Sequence, residues 1–429
     1  MKSKLNRKAQ VTVFVIIGVI IISVFSLLYY LSNLSYSSQS PEKIVDDILA
    51  TTSVQKYFDS CLAVVTETGI TTIGEQGGFI FKEQKGSILT GDIENESYNG
   101  TRITYQIFNP PRQTAELPKY PCYTNQAKTC NSQENYCCYN KNDKVYLFGK
   151  TRTLRPSLCK NSSAMGECSP GKSNNNPYSI QEQLEGYINT NMKDCLNLTQ
   201  LKEDFGYDFS YTNISSDVLI SNSEIRVVLT MPIRVILSDG KPVLRRAEFS
   251  NQRSSKLKQF HNVAGILMNK DNSDITFNIS SPESSFNLPI GLSVRTVYNI
   301  NKKNDSLVII EDISGEKFQF IRQNRKPALD YIPEIPITPG ETLEIIPYAV
   351  DPDEQKIKYD FTTNYDSWKN QIKDSLLYKT GDSYRGIPKN SAISFIINES
   401  DLGEHAITVY AYDGTGYVDY QDVAVHVIK

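Results

Sequence analysis

Residues 11–32 (VTVFVIIGVIIISVFSLLYYLS) are apolar on every helical face and carry no charge over 22 positions. At about 1.5 Å per residue such a helix reaches about 33 Å, enough to cross a hydrocarbon layer of about 30 Å. Lys2, Lys4, Arg7 and Lys8 precede the run and no comparable cluster follows it closely. The positive-inside bias therefore predicts a cytoplasmic tail over 1–10, a transmembrane helix over 11–32 and an extracellular bulk beyond about residue 33. A removable secretory signal has an apolar core of about 7–15 residues and a small-x-small cleavage site. This run is longer and ends Leu-Tyr-Tyr-Leu-Ser, so it reads as a permanent anchor.

After a polar tether (SYSSQ, 35–39), apolar residues recur at Val54, Tyr57, Phe58, Cys61, Leu62, Val65 and Ile73. That is the spacing of one helix face, closed by Gly74, Gly77 and Gly78. Ser179-Ile-Gln-Glu182 reads as a capping box opening a second helix, whose face runs through Leu184, Tyr187, Ile188, Cys195 and Leu196. Beyond Phe205 the period changes to two. Val218 and Ile220 lead through Ser-Asn-Ser to Ile225, Val227, Leu229 and Met231, as in a hairpin. Pro232 suggests an edge or a bulge before Ile233, Val235 and Leu237, and Asp239-Gly240 makes the next turn. A helix within 249–268 and strands at 275–279, 307–310 and 318–321 complete an α+β domain over 40–325. A proline-rich entry near 326 then opens a run of short strands at 343–350, 357–362, 392–397, 405–412 and 420–428. Ile407, Val409 and Ala411 with Val423, Val425 and Val427 form its inward row, which predicts an all-β sandwich over 326–429.

The chain has 429 residues, 39% hydrophobic and 22% charged, which is ordinary globular material for two or three domains. A net charge of −3 gives no electrostatic case for nucleic acid. Eight cysteines, Cys61, Cys122, Cys130, Cys137, Cys138, Cys159, Cys168 and Cys195, all follow the apolar run. An even count in an exported region reads as disulfides. A zinc site would need paired C-x-x-C spacing or nearby histidine, and His261, His405 and His426 lie far downstream. Cys61 and Cys195 each sit on the apolar face of a predicted helix within a local echo (Asp59-Ser-Cys-Leu62, Lys193-Asp-Cys-Leu196). Packing those faces together predicts a Cys61–Cys195 bridge. The other six fall in 109–175, which is rich in Asn, Lys, Tyr and Pro and poor in aliphatic runs. That segment reads as an insertion ordered by pairing those six among themselves. Tyr120, Tyr123, Tyr136, Tyr139 and Tyr146 offer it an exposed contact surface, with plain solvent-exposed decoration as the competing reading.

Nine Asn-x-Ser/Thr sequons stand at Asn33, Asn95, Asn99, Asn161, Asn197, Asn213, Asn278, Asn304 and Asn398. None falls in the span or the basic tail, as in an exported glycoprotein. The exported part carries no nucleophile elbow, phosphate-binding glycine loop or H-E-x-x-H. Its carboxylates are numerous, and spacing alone does not promote a pair to glycosidase chemistry.

Lys8-Ala9-Gln10 ahead of the apolar helix resembles the processing signal of archaeal type IV prepilins. The resemblance implies cleavage between Ala9 and Gln10, leaving the helix on the mature chain. Relatives often carry Glu as the fifth mature residue, where this chain has Phe14, a departure that favours an anchor over a filament subunit. Gly340-Glu-Thr-Leu-Glu-Ile, Ala349-Val-Asp-Pro-Asp, Lys358-Tyr-Asp-Phe, Leu402-Gly-Glu-His-Ala-Ile-Thr-Val and Ala411-Tyr-Asp-Gly-Thr-Gly resemble immunoglobulin-like domains of the cadherin-like and PKD-like groups on microbial surface proteins. This second resemblance spans nearly the whole tail and implies an adhesion or spacer module. In some relatives the acidic residues bind calcium, and the matching positions are Asp351, Asp353 and Asp413. Three carboxylates fall short of the usual six to eight oxygens, so turn-forming aspartates are the preferred reading and calcium the alternative.

The expected molecule is thus a single-pass surface protein with an extracellular structural, adhesive or binding role and no enzymatic activity. Its fold class is α+β with one N-terminal transmembrane helix, a disulfide-rich insertion and a distal immunoglobulin-like sandwich. Its expected partners are the membrane and other surface proteins or glycans, with a homo-oligomer or filament left open. The competing function is an exported hydrolase of envelope polymers that uses the sandwich as a targeting module.

Overall fold

The structure, a computed structural model, describes residues 7–36, 41–50, 52–109, 128–129, 136–141, 144–161, 168, 178–237, 240–282, 286–375 and 391–429. Among these are seven α-helices: α1 (Arg7–Tyr36), α2 (Pro41–Leu49), α3 (Thr52–Glu75), α4 (Ile180–Cys195), α5 (Leu198–Phe205), α6 (Leu257–Ser273) and α7 (Asp366–Ser375). The backbone of α1 covers the whole apolar run, while its side chains are described over 16–30 only, where they are almost all exposed. That stretch is about 22 Å long, shorter than a hydrocarbon layer. Among the described residues no helix is long and apolar enough to cross a membrane, and both ends of the expected span lie outside the described side chains.

The chain divides into two compact units, 1–65 with 191–216 and 228–251, and 66–190 with 217–227 and 252–429. In the first unit, strand Glu224–Ile236 lies between Pro242–Ser254 and Asp208–Tyr211. Leu229, Met231, Ile233 and Val235 point inward in strict alternation, as a half-buried strand requires. Pro232 lies inside this strand, one residue past the end of a ladder, where its missing N–H leaves no ladder pair unmade. The ladder to Asp208–Tyr211 stops at Ile233 opposite Tyr211, and the Pro232 carbonyl accepts from the Thr212 amide. Val54, Phe58 and Leu62 of α3 are buried here, with the Phe58 ring stacked on Phe249 at 4.6 Å. Cys61 and Cys195 are disulfide-bonded across a Cα separation of 5.8 Å. The Tyr57 hydroxyl donates to the Cys195 carbonyl and accepts from the Asn197 amide.

The second unit holds a sheet in the order Asn95–Tyr98, Thr101–Phe108, Lys317–Arg322, Ser306–Asp312, Leu292–Val297, with Arg152–Thr153 also paired to Thr101–Phe108. Lys317–Arg322 and Thr101–Phe108 run parallel. Helix α6 packs on this sheet, burying Leu257, Phe260, Val263, Ala264, Leu267 and Met268. It begins at Leu257, inside the expected 249–268 stretch, because Pro242–Ser254 stays extended as a strand, and the Ser255 Oγ accepts from the Leu257 amide at its start. Ile275, Phe277 and Ile279 alternate inward as expected but form no strand. Asp274 and Asn278 fold that segment into side-chain-capped turns by accepting from the amides of Thr276 and Ser280. Helix α3 ends where read: Gly78 (φ +91°) donates to the Ile73 carbonyl. Ser179 caps α4 by accepting from the Glu182 amide.

The tail is a β-sandwich. One sheet runs Ile335–Ile337, Val418–Val427, Gly403–Tyr412, Lys358–Thr363, and it faces the pair Thr342–Ile345 with Ile393–Ile396 across a shared core. Ile407, Val409, Ala411, Val423, Val425 and Val427 are all buried in it. Helix α7 is an addition that the strand reading missed. It places the fully buried Trp368 against Tyr365, Phe395 and His405.

Candidate functional site: the joint between the α+β sheet and the sandwich

Strand Lys317–Arg322 puts Phe318, Phe320 and Arg322 on alternate, inward positions, all buried. An arginine at the end of an apolar row must find acceptors or leave a charge uncompensated. Arg322 finds three. Its Nε and Nη2 donate to Oδ1 of Asp271, at the end of α6, at 3.1 and 2.9 Å. Nη1 pairs with Asp353 and Nη2 also donates to the Pro352 carbonyl at 3.0 Å. Arg325 adds a second guanidinium to Asp271 at 3.2 Å, and its amide donates to Asp353 Oδ2 at 2.7 Å. Burial works to lower the Arg322 pKa, and Asp271 and Asp353 override it and raise the group above its ordinary value.

Beside the ion pairs runs a hydrogen-bond relay. Asn324, fully buried, donates from its side chain to Asp413 at 3.1 Å and to Thr415 at 3.0 Å, and accepts from Gln355 at 2.7 Å. Its amide donates to Asp305, which also accepts from the Tyr105 hydroxyl at 2.8 Å. Burial and Asp305 together keep that phenol protonated. The loops that meet at this joint are therefore held by specific side-chain partners on the opposite side.

An open cleft of about 400 Å³ lies alongside, lined by Lys144, Tyr146, Phe277, Asn278, Tyr348, Asp351 and Glu354 among others. Lys144 sits over the Tyr348 ring, and burial lowers its pKa against an opposing pull from Asp330. Glu354 occupies a left-handed backbone conformation (φ 58°), uncommon for a side chain of this type. It accepts from the Asn278 side-chain amide. Asp351 accepts from the amides of Asp353 and Gln355 through Oδ1. Burial, reinforced by the neighbouring Asp353, pushes its pKa up to about 6. The cleft thus joins a cation, two carboxylates, an amide and an exposed aromatic edge, the kind of convergent polar set that orients a ligand.

The structure brings Asp351, Asp353 and Asp413 into one neighbourhood, but as hydrogen-bond acceptors. Both oxygens of Asp353 and both of Asp413 face N–H or O–H donors. Calcium wants six to eight free oxygens, so these residues do not fit it. Among the described residues no group of three or more His, Cys, Asp or Glu side chains could hold a metal.

Cys159 and Cys168 are bonded to each other, and Cys137 and Cys138 are disulfide-bonded as well. Cys122 and Cys130 lie outside the described residues, as do Tyr120 and Tyr123 and the side chains of Tyr136, Tyr139, Ala9, Gln10 and Asn33. The insertion is more apolar than expected. Cys137, Tyr146 and Phe148 are buried with Ile275 and Ala328, so Tyr146 is a core residue and not a surface one. The hairpin Tyr136–Lys141 and Lys144–Gly149 reaches the sandwich through Val145, whose amide donates to Asp330 Oδ1 at 2.8 Å.

Of the sequons, Asn99, Asn197, Asn213 and Asn398 are exposed, Asn197 and Asn398 serving as helix caps. Asn95, Asn161, Asn278 and Asn304 are half-buried, and Asn95 and Asn278 donate their side-chain amides internally. His261 is a buried structural residue. Its Nε2 contacts the Pro156 carbonyl at 2.8 Å, and burial with the Arg155 charge pushes its pKa down to about 4. Arg322, Arg325, Asp271 and Asn324 were not singled out by sequence. The only local signal was an arginine on the inward row of Phe318 and Phe320.

No protein-family model and no curated protein matches the chain. Among solved structures it is similar to an endo-fucoidan hydrolase of glycoside hydrolase family 107 (12% identity, 33% of this chain and 27% of that one, TM-score 0.16). It is also similar to a SusE-like surface-located polysaccharide-binding protein from the Bacteroides thetaiotaomicron heparin utilisation locus (10%, 51% and 35%, TM-score 0.18). A third likeness is to the protocadherin gamma B4 extracellular domain (11%, 69% and 37%, TM-score 0.19). The chain spans about a quarter to two fifths of the length of these three, and scores this low identify neither fold nor function.

Proposed function

We propose that the chain is a membrane-anchored surface protein whose exported domains bind a polar partner through the cleft beside the joint. The observation that carries this reading is the cleft itself. Lys144, Tyr348, Asn278, Asp351 and Glu354 converge there on elements fixed by a buried ion-pair network, so a ligand meets preformed geometry. The helical, charge-free run of α1 supports anchoring in lipid, and the bonded cysteines support an oxidising exterior. Binding of the full chain to arrayed envelope glycans and surface proteins tests the reading. Lys144→Ala and Glu354→Ala should each weaken retention at least about tenfold, which corresponds to about 1.4 kcal/mol for each side chain truncated. Retention equal to that of the unaltered chain in both variants would overturn it.

One observation favours a hydrolase as second reading: Asp351, whose pKa is pushed up to about 6, lines the same cleft as a second carboxylate, Glu354, and glycosidases use a carboxyl group of raised pKa as their acid. Release of reducing ends from envelope polymers that disappears in Asp351→Asn would favour it over binding alone. Cleavage at Ala9–Gln10 and glycans on the exposed Asn99 and Asn213 belong to the same surface reading. Peptide mapping of the mature chain reads both.

A further inference from the structure

The sheet of the first unit buries one face, through Met231, Ile233, Val235, Val243 and Phe249. The alternate residues of the same strands therefore point away from that core. The Leu237 amide donates to the Lys241 carbonyl at the hairpin turn, which sets Ile236 opposite Pro242 and Arg234 opposite Leu244. On this outward face Leu244 is 64% exposed and Ile236 37%. Leu244, Pro232, Pro242 and Arg234 line an open groove of about 430 Å³. Arg246, two residues on from Leu244, points the same way and is exposed, as is Arg234. Their inward neighbour Arg245 is ion-paired with Asp46 of α2 at 3.1 Å, whereas Arg234 and Arg246 have no ion pair among the described residues. Of the carboxylates on this face, Asp208 is taken by Lys202 at 2.6 Å, and Glu248 follows Arg246 by two residues. Exposed apolar side chains beside uncompensated guanidinium groups make a surface suited to a lipid interface, where the first enter the acyl boundary and the second meet phosphate.

The reach of the chain brings that interface to the sheet. The Asp46–Arg245 pair fixes α2 to the Pro242–Ser254 strand, and α2 opens at Pro41, nine residues after the apolar run ends at Ser32. Four of those steps belong to α1 and rise about 6 Å, and the other five span at most about 18 Å. The start of α2 thus stands within about 24 Å of the end of that run.

We propose that this face is a second membrane contact, lying on an anionic lipid surface. Leu244 and Ile236 enter the boundary between headgroups and acyl chains, and Arg234 and Arg246 bind lipid phosphate, so the first unit lies down on the bilayer that holds it. The inference rests on the reading of residues 11–32 as the anchor.

Fluorescence quenching in vesicles tests it. The full chain carrying Leu244→Cys, labelled there with an environment-sensitive dye, is reconstituted in an equal mixture of phosphatidylcholine and phosphatidylglycerol, with and without lipid spin-labelled just below the headgroup. The unaltered chain treated with the same dye gives the background, and flotation after a high-salt wash reads the anchor separately. The spin label should quench the dye by at least about half. Arg234→Glu with Arg246→Glu should reduce that quenching at least about threefold, while Arg234→Lys with Arg246→Lys keeps it. Vesicles of phosphatidylcholine alone should give less quenching than the mixture. A chain that floats with its dye unquenched would overturn the contact and leave the anchor standing. A dye shifted to the blue yet unquenched would overturn it too, because a second copy or another protein then covers the face. Quenching that the paired glutamates leave unchanged would overturn the role of the arginines, and a chain that does not float would overturn anchor and contact together.

Discussion

Asp351 is the titrating residue of the joint. Its folded pKa of about 6, raised by burial and by Asp353, lies above the usual carboxylate value. The fold therefore holds a proton that the unfolded chain has released between about pH 4 and pH 6. Stability from this group is present below about pH 4 and is lost as pH rises through about 6. Asp351→Asn keeps the acceptor for the Asp353 and Gln355 amides and removes the charge. It should stabilise the chain by on the order of 2 kcal/mol above pH 7 and leave it unchanged near pH 4. Tm measured against pH checks this, and equal slopes in both proteins would show that Asp351 does not hold the proton. At this scale sequence was half informative. Asp351, Asp353 and Asp413 were picked out by motif and do meet; Asp351 and Asp413 accept from amides two to four residues on, within their own turns, while the Arg322 and Arg325 donors to Asp353 and the Asn324 donor to Asp413 come from residues remote in sequence and were not legible. Arg322 was legible only as an oddity, because an inward arginine announces that acceptors exist without saying which.

Periodicity exposed most of the secondary structure, and it failed where a local hydrogen bond outweighed it. Helices α3 and α4 and the inward valines of the sandwich followed directly from 3.6- and 2-residue spacing. The segment 275–279 keeps strand periodicity, yet Asp274 and Asn278 turn it. Pro232 suggested an edge or a bulge, and it sits just past a ladder's last pair. Helix α7 was missed because its polar face dilutes the few buried positions around Trp368 and Ile372. Close approach between elements is equally silent in sequence. Gly74 of α3 looked like a helix terminator, but a Cβ there would lie 2.2 Å from the Lys317 carbonyl oxygen. It is a packing glycine where the helix crosses a strand. Gly74→Ala should cost about 2–3 kcal/mol in chemical unfolding, against the small gain alanine gives in an exposed helix. A cost under about 0.5 kcal/mol would mean that the strand yields.

For the whole molecule, three independent features agree: an uncharged apolar helix at the start, bonded cysteines beyond it, and a sandwich joined to an α+β sheet by a buried polar network. All three support the proposed reading, in which one helix holds a preformed cleft outside a membrane. That topology is the central claim, and protease treatment of intact cells expressing the full chain, tagged at its C-terminus, tests it most directly. The account predicts that an impermeant protease removes the C-terminal tag and leaves a short, membrane-held fragment that contains residues 11–32, cut beyond about residue 33. A C-terminal tag that survives until the cells are lysed would contradict it.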